Sequence, residues 1–102
     1  MGLFDNKNDF EKHNITMSTF EHKGLWYYNI TVIGCVIMSY TPNQGYESED
    51  QASRYGDVAA TEELNKEKRR IREFGEPDIS LGLIKQLVNS GFPLPQKLRN
   101  KV

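Results

Sequence analysis

Apolar positions are unevenly spread along this chain, and one stretch dominates. Leu25 to Met38 reads Leu-Trp-Tyr-Tyr-Asn-Ile-Thr-Val-Ile-Gly-Cys-Val-Ile-Met, and no charged side chain occurs from Leu25 to Tyr46. Extended to Thr41 it has 17 residues, roughly 25 Å as an α-helix against about 30 Å for a bilayer's hydrocarbon core. Lys23, Trp26, Tyr27 and Tyr28 at its start, with Tyr40 and Tyr46 at or beyond its end, match the aromatic belts of membrane interfaces. Pro42 and Asn43-Gln44-Gly45 then stop the helix. The pattern predicts a transmembrane helix over 24–41. Its central Ile and Val residues favour insertion by only about 2 kcal/mol, so the span is marginal alone. The small and polar residues Asn29, Thr31, Gly34, Cys35 and Ser39 predict a face that packs on neighbouring helices.

The same residues permit a second reading. Ile30, Thr31, Val32, Ile33, Val36 and Ile37 are β-branched, which suits two short strands, Trp26 to Ile33 and Cys35 to Tyr40, broken near Gly34. Strict alternation is absent, so such strands need cover on both faces, and one short amphipathic helix is all the rest of the chain offers. The span is therefore the favoured reading, with core strands as its alternative.

Outside this run, residues 1–23 mix acids, bases and amides with isolated Phe4, Phe10 and Phe20, and read as an irregular tail whose rings are candidate anchors on a partner. Residues 42–56 read as a polar linker. A charged helix is expected over 57–75, ended by Gly75, with acids in its first turn and bases later. Within it Glu62 and Lys66 form a favourable i,i+4 pair, and Glu63 and Glu67 an unfavourable one. A short amphipathic helix follows over 78–90, N-capped by Asp78, with Leu83, Ile84, Leu87 and Val88 on a docking face. Residues 91–102 are expected to be extended by Pro93 and Pro95. The fold class expected is mostly α: one transmembrane helix, an irregular N-terminal tail and two short C-terminal helices.

Composition narrows the function more by exclusion than by indication. The chain has 102 residues, 37% hydrophobic, and a net charge of −1, which gives no field to draw it to nucleic acid. Cys35 has no partner for a disulfide and reads as a small buried hydrophobe. The sequons Asn14-Ile15-Thr16 and Asn29-Ile30-Thr31 matter only in a secreted chain, and Gly2 lacks the Ser or Thr that myristoylation expects at position 6. No secretory signal or arginine-rich transit peptide is visible. His13 and His22 lack metal-site spacing, and no phosphate loop, nucleophile elbow or zinc-binding His-Glu-x-x-His helix occurs. No enzymatic activity, metal or cofactor is expected.

Three lysines before the span, Lys7, Lys12 and Lys23, stand against Arg54 after it, which places the N-terminus on the cytoplasmic or matrix side. The span Leu25 to Ser39, Tyr40-Thr41-Pro42 at its exit, the charged helix around Glu62 to Glu73 and the prolines Pro93 and Pro95 resemble the ESSS subunit family of mitochondrial respiratory complex I. The segment Ile79 to Val88 has no counterpart in that pattern. The resemblance implies a non-catalytic, single-pass accessory subunit of the mitochondrial inner membrane that supports assembly or stability of an electron-transport complex. Its N-terminus would lie in the matrix and its C-terminus in the intermembrane space. Its partners would be protein subunits of a membrane complex and the lipid bilayer. Trp26, Tyr27, Tyr28 and Tyr40 would sit at the membrane interface. The alternative is a soluble protein-interaction module in which residues 26–40 are core β-strands.

Overall fold

A computed structural model describes residues 9–102. The long apolar run is not a helix. It forms the centre and one edge of a three-stranded antiparallel sheet, ordered β1 (Ile15–His22), β2 (Leu25–Ile33), β3 (Ile37–Tyr40). Three helices follow: α1 (Glu49–Phe74), α2 (Leu81–Asn89) and α3 (Gln96–Arg99). No helix among the described residues is long and apolar enough to cross a membrane.

The β1–β2 connection explains why the run pairs. Lys23 at φ 53° and Gly24 at φ 83° are the two centre residues of a tight turn in which both φ values are positive, the geometry that matches strand twist. It sets His22 opposite Leu25, and the register continues through Phe20 opposite Tyr27 to Ile15 opposite Val32. Residues 15–22 of the expected irregular tail are thus a strand. Phe4 and Gly2 lie outside the described residues.

The missing alternation also has a physical cause, because the end of β2 is covered on both faces. Ile30 and Val32 point at α1, in a core with Ile15, Ala60 and Leu64, and with Met17, Tyr28, Met38 and Tyr40 packed around them. Ile33 faces the other way and is buried against Ile84 of α2 and Leu98 of α3. A strand enclosed on two sides reads as a near-continuous hydrophobic run, and Ile30, Val32 and Ile33 do so with only Thr31 between them. The cover on the first face comes from a helix that starts at Glu49, eight residues before position 57. Ser48 caps it by accepting from the Gln51 N–H at 3.2 Å. The early start brings Ala52 and Gly56 onto the buried stripe with Ala60 and Leu64. At Gly56 an added Cβ would lie 2.8 Å from the Met17 Sδ.

These facts overturn the membrane reading throughout. The expected transmembrane helix at 24–41 is strands β2 and β3 with the turn between them. The mostly-α single-span fold class gives way to a sheet region followed by helices. The resemblance to the complex I subunit falls, because the span that carried it is sheet. With it fall the inner-membrane localisation, the matrix-to-intermembrane topology, the accessory role in electron transport and the bilayer and membrane-complex partners. The alternative, with residues 26–40 as core strands, describes the fold better. Downstream, α2 is capped by Ser80, which accepts from the Leu83 N–H, rather than by Asp78. The expected extended tail at 91–102 contains the single turn α3.

Candidate functional site

The sheet and α1 leave a seam on the β3 side, and aromatic rings line it. Tyr46 and Tyr55 stack with centroids 4.8 Å apart and planes at 12°. Tyr28 stacks on the other side of Tyr46 at 6.5 Å. Tyr40 follows, its hydroxyl donating to Glu63 Oε2 at 3.4 Å. Each element supplies part of this row: Tyr28 from β2, Tyr40 from β3, Tyr55 from α1. Tyr46 is held by a reciprocal main-chain bridge with Trp26, both bonds 2.7 Å.

The row is acidic. Glu62 and Glu63 on α1 stand close enough to disfavour ionised phenols, after burial itself. Burial, then Glu63, push the Tyr40 hydroxyl up to about 12, and burial with neighbouring Tyr46 and Glu62 raises Tyr28. Glu63 is buried, its Oε2 is 3.8 Å from Lys66 Nζ, and its Oε1 has no hydrogen-bond partner among the described residues. An acceptor left unpaired at a buried position costs about 1 to 3 kcal/mol, so it asks for a donor. Tyr55 is 55% exposed and Val58, one turn on, 59%.

Further along the same side of α1 the charge reverses. Tyr55, Glu62, Lys66, Arg69 and Glu73 recur at helical spacing along one stripe. Lys66, Arg69, Arg70 and Glu73 line a shallow depression of about 260 Å³. From Glu47 to Glu63 there are six acids and one base, and from Leu64 to Phe74 five bases and two acids. The seam is therefore tyrosine-rich and negative at one end, positive at the other.

Residues singled out in the sequence are scattered over three places. Tyr28 and Tyr40 join the seam, while Trp26 holds Tyr46 there. Tyr27 lies on the opposite sheet face and stacks on Phe20 at 5.6 Å. Asn29, Thr31 and Ser39 form one hydrogen-bonded group on that face: Thr31 Oγ1 and Ser39 Oγ are 3.0 Å apart, and each bonds Asn29 Oδ1. Gly34 and Cys35 lie in the β2–β3 turn. There the Cys35 N–H donates to the buried Glu67 carboxylate at 2.8 Å, and Arg70 Nη1 completes the group at 3.2 Å from Glu67 Oε1. Burial, reinforced by Glu67, raises the Cys35 thiol. Leu83 and Leu87 are half-buried, Ile84 is buried in the second cluster, and Val88 is 40% exposed. Tyr46, Tyr55, Glu62 and Glu63 were not singled out as site residues. The one signal for Glu63 was its poor i,i+4 spacing with Glu67.

The fold and seam define a small mixed α/β unit, a three-stranded antiparallel sheet laid on a long helix. No protein-family model matches the chain, and no curated protein or solved structure does.

Proposed function

We propose that this protein acts by binding rather than by catalysis, as a protein-interaction module whose seam docks a basic segment of a partner protein. The observation that carries the reading is the row Tyr28, Tyr46, Tyr55 edged by Glu62 and Glu63. The exposed ring of Tyr55 at the end of the row attracts guanidinium and ammonium groups by cation–π interaction, and the two carboxylates add charge complementarity. Glu63 Oε1, to which no described residue donates, would accept a hydrogen bond from the docked segment. Magnitudes set the kind of binding. An exposed cation–π contact is worth about 0.5 to 1 kcal/mol and a surface ion pair about 0 to 1 kcal/mol. A few such contacts fall well short of the roughly 8 kcal/mol of micromolar affinity unless the segment also buries apolar surface along Val58 and Tyr55. The association is therefore weak, fast and salt-sensitive.

Titration of the isotopically labelled chain with a short arginine-containing peptide, followed by NMR, tests this. Shifts should concentrate at Tyr28, Tyr46, Tyr55 and Glu62, fade with salt, and shrink in Tyr55→Ala and Glu62→Lys. Equal binding of a peptide with glutamates in place of the arginines would refute the proposal.

A further inference from the structure

We propose that the outer edge of β1 is an interface for a second copy of this chain, which pairs with it antiparallel and extends the sheet to six strands. This surface lies at the opposite edge of the sheet from the tyrosine seam and rests on separate observations. The tight turn fixes which main-chain groups point where. His22 and Leu25 flank it as a hydrogen-bonded pair, so by alternation Thr16, Ser18, Phe20 and His22 turn their N–H and C=O groups toward β2. The bond from the Ile33 N–H to the Asn14 carbonyl has the same parity. Ile15, Met17, Thr19 and Glu21 must then turn theirs outward, and no group among the described residues pairs with them. Natural edges are blunted by charge, proline or a bulge, yet of Ile15 to Glu21 only Glu21 at the end is charged, none is proline, and the strand pairs with β2 without interruption.

Register selects the occupant. Only one antiparallel self-pairing uses all four outward residues on both copies: Ile15 opposite Glu21, Met17 opposite Thr19, with the two-fold axis at Ser18. On the face away from α1, that register sets Phe20 of the second copy opposite Thr16. A cavity of about 360 Å³ lies at that place, lined by Asn14, Ile15, Thr16, Pro95, Gln96 and Lys97 among others. Phe20, 40% exposed in the single chain, is the large apolar side chain the cavity lacks. One symmetric operation thus satisfies the open edge, the exposed ring and the cavity.

Sedimentation velocity over a concentration series, on the full chain, tests the pairing. Wild type should pass from monomer to dimer as concentration rises. Ser18 side chains face each other across the axis and are exposed, so S18K and S18E should each remain monomeric through like-charge repulsion, while an equimolar mixture of the two should dimerise. Phe20→Ala should weaken self-association at least tenfold with an unchanged far-ultraviolet spectrum. A wild-type monomer at all concentrations would overturn the proposal, as would monomers in the mixture or unaltered association of Phe20→Ala. Slow amide exchange at Met17 and Thr19 in a monomer would overturn it too, by showing that the chain covers its own edge.

Discussion

Glu67 is 1% exposed and ties the β2–β3 turn to α1. Its neighbour across the gap must be glycine, because a Cβ on Gly34 would fall 2.2 Å from the Glu67 Oε2. Gly34→Ala should displace the carboxylate from the Cys35 N–H and cost about 1 to 3 kcal/mol, as a buried overpacking or an unmade hydrogen bond does. Glu67→Ala should cost a similar amount by stranding that N–H and Arg70. Since both variants break one contact, the double variant should lose clearly less than the sum in urea melts. Strict additivity would mean the two residues act separately. Tyr40 gives a pH prediction at the same scale. Its folded hydroxyl is raised to about 12, above the ordinary value near 10, so the folded chain holds a proton the unfolded chain has released. The associated stability is complete below about pH 10 and disappears as pH climbs toward about 12. Tyr40→Phe should flatten that alkaline decline in melting temperature; an unchanged slope would assign it to other groups.

Helix α1 shows how much of an element its sequence discloses. Ser48-Glu49-Asp50-Gln51 has the spacing of a capping box, and Ala52, Gly56, Ala60 and Leu64 recur every four residues, which is a helix stripe of small side chains made for close packing on a sheet. Both signals are legible, but they are easily passed over when apolarity is equated with Leu, Ile and Phe. An expected start near Asp57 leaves out Ala52 and Gly56, and so hides the cover that β2 requires. Strand β1 was harder to see, since Met17, Ser18 and Thr19 alternate weakly and only the Lys23-Gly24 turn marks the hairpin. The seam was legible in its parts, as tyrosines and acids, but their meeting depends on the fold. Two variants test the close approach. Ser48→Ala should cost about 1 kcal/mol by leaving an α1 N–H uncapped. Gly56→Ala gains up to about 1 kcal/mol in helix propensity but must crowd Met17 and bring a carbon to 3.1 Å from the Tyr28 Cβ. Since overpacking costs about 1 to 3 kcal/mol, the net should be a loss of about 0 to 2 kcal/mol. An alanine variant more stable than wild type would show slack at this contact.

At the scale of the whole molecule, the sequence misleads because the span test asks only how apolar a run is, and a strand enclosed on both faces is equally apolar. What separates the two outcomes is the partner surface: α1 against Ile30 and Val32, and the C-terminal segment against Ile33. These two covers are unequal. The first is a 26-residue helix packed along β1 and β2, whereas the second consists of two short helices centred on Ile84 and Leu98. Isolated helices of that length are unstable in water, so α2 and α3 persist only while docked. The segment should therefore open as a unit below the global unfolding free energy. Ile84→Ala removes the side chain that meets Ile33 and should weaken docking by about 2 to 5 kcal/mol, the range for large-to-small changes at buried sites. Amides of α2 should then exchange at least tenfold faster, while those of Ile30, Val32 and the middle of α1 keep most of their protection. Equal loss of protection in α1 and β2 would show instead that the C-terminal segment and the sheet unfold together, and that Ile33 joins the two clusters into one cooperative core.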